Sequence, residues 1–189
     1  MLRLLLFFSL FSLALALIAR WWFGARVLDS YGKRMCRCDL KLWTPAPHDA
    51  ASVHRAEASA EEFGNQLRQK ALQEWRQTDP KSANAREQSR RFGVAAPPLG
   101  GVVAVLAVIA GKIPVLGAFA IFIVAVALSA VLGILALPPE LTAIARTSKR
   151  IRDQRAFPSS EDSEAIVRCA SAHAWEQALP PVLRMLKKR

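Results

Sequence analysis

Residues 92–137 contain a single ionisable side chain, Lys112. A run that apolar cannot form the outside of a water-soluble fold, and it is too long for one bilayer crossing, which takes about 20 helical residues. It divides at Gly111-Lys112-Ile113-Pro114. Glycine and proline punctuate turns, and a lysine stem can carry its ammonium to the headgroups. Residues 94–110 and 114–137 therefore read as a helical hairpin. A separate apolar block runs from Leu4 to Phe23; its stretch Leu4–Ile18 is broken only by Ser9 and Ser12 and ends in Arg20-Trp21-Trp22. Tryptophans at the end of an apolar helix mark the membrane interface. Ala14-Leu15-Ala16 offers a signal-peptide cleavage pattern as the competing reading, but the tryptophan pair favours a retained anchor.

Composition supports this partition. Of 189 residues, 52% are hydrophobic and 22% charged, with mean hydropathy +0.19; the two kinds lie in separate blocks, as in membrane proteins. A disordered chain is excluded by its large apolar residues, and three cysteines cannot staple a chain this long. Three spans leave Arg3 and Lys112 as the only basic residues on one side. The opposite side carries 24 basic against 15 acidic residues, a balance of +9. Lysine and arginine flanking spans mark the cytoplasmic face, so the N-terminus is expected outside, with residues 24–91 and 139–189 inside. The pI of 10.4 follows from this asymmetry. No nucleic-acid motif accompanies the charge, so the expected partner is anionic lipid headgroups on the cytoplasmic side. Trp21, Trp22, Lys33, Arg34, Arg37, Arg146, Lys149 and Arg150 are the interface candidates. Cys36 and Cys38 fall on the reducing side and are expected as free juxtamembrane thiols. A metal-binding or acylated pair is the alternative.

The hairpin has almost no polar chemistry. Ser129 is the only hydroxyl between Pro114 and Leu137. A transport or ion pathway needs groups that replace hydration, so this chain alone is not expected to be a channel or pump. Small residues recur four apart: Gly100 and Ala104, Ala107 and Gly111, then Ala125, Ser129 and Gly133. That spacing shares a helix face on which backbones approach closely. The face packs either within the hairpin or against another membrane protein.

Outside the spans the periodicity is helical. Ala60, Phe63, Leu67, Ala71 and Trp75 predict a helix over 49–75, capped by Asp49 or Ser52 and ended by Asp79-Pro80. Pro138-Pro139 is expected to break the chain after the third span. A basic helix then runs over 140–155 with Leu141, Ile144 and Ile151 on one face. A last helix, capped by Ser160, carries Ile166, Cys169, Ala170 and His173 on one stripe up to Leu179. The expected fold is an all-α integral membrane protein with three transmembrane helices, an N-terminal anchor plus a hairpin, and cytoplasmic helices. Its segments are 1–23 (anchor), 24–91 (cytoplasmic), 92–138 (hairpin) and 139–189 (basic, cytoplasmic).

Zinc peptidases commonly carry H-E-x-x-H on a helix, where two histidines four apart bind the metal and the glutamate polarises its water. None of His48, His54 and His173 is followed by glutamate. Ala60-Glu61-Glu62-Phe63-Gly64-Asn65, followed by the hairpin, by Leu137-Pro138-Pro139-Glu140-Leu141-Thr142-Ala143 and by the alanine-rich stretch Ala165–Ala178, nevertheless resembles the bacterial membrane-bound neutral zinc metallopeptidase family. The resemblance covers roughly residues 52–178 in order, and Leu-Pro-x-Glu is its most specific part. It implies that Glu62 matches the catalytic glutamate and Glu140 the third metal ligand, while Glu61 and Asn65 stand where the two histidines belong. Asparagine is a poor zinc ligand and carboxylates suit harder cations. Without zinc, Glu62 has no acidified water to use.

The resemblance therefore implies a pseudoenzyme with no cofactor in the bacterial inner membrane, acting through contact with other membrane subunits. Two alternatives stay open. One is a peptidase with a rearranged site using His54 or His173 with Glu140. The other is a membrane-surface organiser working through Arg146, Lys149, Arg150, Arg152 and Arg155.

Overall fold

The computed structural model describes residues 2–43, 55–180 and 183. Among the described residues the fold is helical apart from a two-stranded clip. Among these residues three helices are long and apolar enough to cross a membrane, as in a multi-pass membrane protein. The elements in order are α1 (Leu2–Arg20), a π turn (Trp21–Ala25), α2 (Arg26–Tyr31), β1 (Met35–Arg37), β2 (Glu57–Ser59), α3 (Ala60–Thr78), α4 (Pro80–Ile109), α5 (Val115–Leu135), α6 (Leu137–Asp153) and α7 (Ser160–Ala178). They form two compact units: residues 1–19, 85–136 and 178–189 in one, and 20–84 with 137–177 in the other.

The first unit holds the apolar bodies of α1, α4 and α5. Its core is Ala16, Val126, Ala130, Leu179 and Leu183, flanked by Leu13, Phe122 and Ile134. Large apolar side chains such as Phe7, Phe8, Phe11, Leu106, Ile109, Leu116 and Phe119 point outward. Such a surface is untenable in water and ordinary in hydrocarbon. The α4–α5 corner is a Schellman motif: Lys112 N–H donates to the Ala107 carbonyl at 3.0 Å and Gly111 N–H to Val108 at 2.9 Å. Gly111 takes φ +66°, the left-handed conformation that glycine adopts without steric penalty, and Pro114 follows to prevent continuation.

Helix α4 starts earlier than its apolar pattern indicates. The boundary at Asp79-Pro80 does end α3, but Asp79 Oδ1 also accepts the Ser82 N–H at 3.1 Å, and Pro80 occupies the first helical position. That is a helix start signal, and hydrophobic periodicity could not show it because residues 80–91 are polar on every face. Helix α4 then continues through Pro97 and Pro98. Proline at 97 has no N–H for the carbonyl four residues back, Gly93, and there Ser129 Oγ donates instead. The hydroxyl that stands alone in α5 thus satisfies a backbone acceptor that hydrocarbon would leave bare.

The second unit is a small helical core around α3, α6 and α7. Its centre is aromatic: Trp43 lies edge-on to Phe63 (6.2 Å between centroids) and beside Phe157 (5.2 Å), and Trp43 Nε1 donates to Gln66 Oε1 at 3.1 Å. The clip pairs β1 and β2 antiparallel, with Met35 opposite Ser59, Cys36 opposite Ala58 and Arg37 opposite Glu57.

Four expectations for this region change. The helix predicted over 49–75 begins at Ala60, because Glu57–Ser59 is held by the clip; the proposed caps Asp49 and Ser52 lie outside the described residues. Ser59 is the cap, its Oγ accepting the Glu62 N–H at 3.2 Å. The last helix is capped by Ser159 rather than Ser160, through the Asp162 N–H. The break after α5 falls at Ala136, and Pro138-Pro139 sit in the first turn of α6, where a missing N–H costs no helical hydrogen bond.

Candidate functional site

The positions implied by the resemblance gather in the second unit, at the start of α3 and where α6 and α7 pack on it. Ser59 caps α3, so Glu61 and Glu62 fall in its first turn, where the helix dipole favours negative charge. Both are exposed, and Asn65 is half-buried. Spacing puts Glu61, Asn65 and Arg68 on one face of α3. Glu140, in the first turn of α6, is 2% exposed and is bound by Arg68, itself 3% exposed, with Nε at 2.6 Å from Oε1. Two desolvated opposite charges at this distance hold each other firmly in place.

Helix α7 brings His173 to the same end of α3. Its Nε2 lies 3.1 Å from the carbonyl oxygen of Glu61, so the ring meets the backbone of that residue, not its carboxylate. Burial pushes the imidazole pKa below its ordinary value, opposed by the Glu61 carbonyl and carboxylate. The neutral ring is therefore favoured, with the Nε2 proton directed at the carbonyl. Gly64 permits the close approach of α7. A Cβ there would lie 2.7 Å from Cys169 Cβ and 2.9 Å from the Ala170 nitrogen, closer than side-chain carbons pack.

This donor set does not fit zinc. The Glu140 carboxylate is engaged by a guanidinium, which would repel a cation, and Glu61 faces His173 through its carbonyl. Among the described residues no three His, Cys, Asp or Glu side chains converge as a metal site. His48 and His54 lie outside the described residues.

The thiols are free, as expected, and they are buried. Cys36, on β1, and Cys169, on α7, are fully buried, and Cys38 nearly so; all three are free. Burial raises Cys36 to about 11 and Cys169 to about 12, which suppresses the thiolate needed for ligation or acylation.

A second polar layer joins α3 and α6. Glu74 accepts from Thr147 Oγ1 at 2.7 Å and pairs with Arg150 at 3.3 Å. Beside it a depression of about 110 Å³ is lined by Trp75, Ala143 and Arg146 among others.

The interface candidates divide by partner. Arg34 is paired with Glu161 and Asp162, Arg37 with Glu57 and Arg150 with Glu74. Lys33, Arg146 and Lys149 are exposed with no carboxylate partner among the described residues. Trp21 and Trp22 are 57% and 50% exposed. Sequence reasoning passed over Arg26, whose guanidinium carbon lies 4.4 Å from the centroid of the Trp22 ring. The i, i+4 spacing of Trp22 and Arg26 was the available signal.

The small-residue positions lie in the first unit. A Cβ on Gly100 would come within 2.6 Å of Ala125 Cβ, and Ala104 and Ser129 are buried, with Ser129 bonded to the Gly93 carbonyl. Gly133 meets the Ala178 backbone, where a Cβ would clash outright. Ala107 is half-buried. Gly111 belongs to the corner, with nothing within 4 Å of its Cβ position, so it makes no packing contact within the hairpin.

No family model, curated protein or solved structure matches the chain.

Proposed function

We propose that the chain is a non-catalytic integral membrane protein that serves as a structural or interaction subunit of a membrane complex, a degenerate relative of the neutral zinc metallopeptidases. The observation that carries this reading is the Arg68–Glu140 pair. The position that the resemblance assigns to a metal ligand is engaged by a buried cation of the protein itself. His173 is likewise directed to a backbone carbonyl, so a rearranged site using these two residues would first have to break both contacts. The apolar hairpin with its close-packed glycines and alanines supports action by contact. The positive-inside balance supports a bacterial inner-membrane location with the N-terminus outside and the C-terminus in the cytoplasm.

The test is metal analysis together with the intact-complex mass of protein extracted from native membranes in mild detergent without chelator. Substoichiometric zinc with a partner chain at fixed stoichiometry is the expected result. One zinc per chain would return the protein to the enzymes, and a monodisperse monomer would remove the subunit role.

A further inference from the structure

Just beyond the first apolar block the helix opens into the π turn Trp21–Ala25, in which the Arg26 N–H reaches back five residues to the Trp21 carbonyl. Single π turns are uncommon and concentrate at functional sites. This one separates two faces. Gly24 and Ala25 are buried, with Gly24 close against Glu176 and Ala172, and Phe23 stacks on Trp175 at 5.1 Å. Trp22, Arg26 and Ser30 face outward, four residues apart and exposed. With Val27 and Tyr31 they line a groove of about 240 Å³.

Arg26 differs from most cations around it. Arg20 is paired with Glu176, Arg34 with Glu161 and Asp162, and Arg168 with Glu164. Arg26 has no carboxylate partner among the described residues. Its one side-chain neighbour of note is the indole face of Trp22, which orients the guanidinium and leaves its donor edges open.

We infer that the Trp22–Arg26–Ser30 face binds the phosphate of a membrane phospholipid. The occupant follows from charge and from position. An unneutralised planar guanidinium beside a free hydroxyl is complementary to a phosphate monoanion. Arg26 lies about 6 Å along the helix from Trp22 at 1.5 Å per residue, and tryptophan at the end of a span sits at headgroup level. The indole and Val27 supply apolar surface for the glycerol and upper acyl carbons. A soluble phosphate would use only the polar half of this face. The inference rests on the membrane-spanning character of the chain and is independent of whether it is catalytic.

The experiment uses the full chain, delipidated in mild detergent and titrated with phosphatidylglycerol, with bound lipid read by native mass spectrometry. Arg26→Gln should weaken phosphatidylglycerol retention about fivefold, the loss expected for one cation at the lipid surface. Arg26→Lys, which keeps the charge and loses the planar stack, should fall between Arg26→Gln and the unaltered chain. Lys81→Gln, an exposed cation elsewhere, should retain lipid as the unaltered chain does. Equal retention by Arg26→Gln, an equal loss in Lys81→Gln, or displacement of the lipid by inorganic phosphate at matched concentration would each overturn the inference. The first would show no site, the second bulk charge and the third a general anion site. Circular dichroism on each variant confirms that the fold is kept, and Arg26→Lys gives a reading even if Arg26→Gln does not fold.

Discussion

Replacing Arg68 with methionine leaves the Glu140 carboxylate buried without its cation, and replacing Glu140 with leucine strands the guanidinium. Each single change is expected to destabilise the second unit by about 3–5 kcal/mol, because the surviving charge is desolvated and uncompensated. The double variant should cost much less than the two combined, and thermal unfolding in detergent across all four proteins measures the difference. Gly64→Ala should also destabilise, by about 1–3 kcal/mol, since its Cβ meets the Ala170 backbone nitrogen as well as a side chain and backbone cannot step aside cheaply. The titratable residues set the pH dependence. His173 has a lowered pKa in the fold, so the unfolded chain binds the proton more readily and stability should fall as pH drops below the ordinary 6.5. The two buried thiols act in the opposite sense. Held at about 11 and about 12 against an ordinary 9, they keep their protons longer in the fold, so stability should decline as pH rises above 9. Maleimide labelling at neutral pH should accordingly be slow for Cys36 and Cys169 until denaturant is added.

At the level of elements, α4 and α5 are joined by the Ser129–Gly93 hydrogen bond and by close approach. Ser129→Ala removes the donor to the Gly93 carbonyl, which Pro97 has already left without its helical partner. The expected loss is about 0.6–1.7 kcal/mol, the range for hydrogen bonds between membrane helices. Measured by unfolding in detergent, it should vanish in a Pro97→Ala background that restores the backbone N–H. No change in the single variant would mean that the carbonyl has another donor. The spacing of Gly100, Ala104, Ala125 and Ser129 was legible as a shared small-residue face. The bond to Gly93 was not, because it depends on which turn of α5 lies beside the proline, a matter of hairpin register. The clip was equally hidden. Three-residue strands are too short for alternation to register, and their pairing joins Met35 to Ser59 across the chain.

For the whole molecule, the proposed topology has three crossings, with residues 2–3 and the segment after α5 expected on opposite sides of the membrane. Reporter fusions should show an external N-terminus and a cytoplasmic C-terminus, with the 24–91 segment on the cytoplasmic side. An external C-terminus would overturn the orientation drawn from charge. Arg20, Arg34, Arg37, Arg68 and Arg150 are engaged by carboxylates, so their charge is matched locally and the net +11 rests on other cations, which can face a lipid surface. Lys33, Arg146, Lys149 and Arg26 remain open to it.

The spans, their number and the helical class were readable from the order of residues alone. The bilayer requires long uninterrupted apolar runs, and such runs are a one-dimensional property of a chain. The Schellman corner at Gly111 was readable for a similar reason, since a helix end is a local contest among four or five neighbouring residues. The fate of Glu140 was not local. In sequence it matches a metal ligand; in the fold Arg68, 72 positions away, takes its carboxylate. The same holds for the burial of Cys36 and Cys169 and for the ring of His173 against Glu61. A side chain's chemistry depends on its neighbours in space, and only the packing of α6 and α7 on α3 supplied those neighbours.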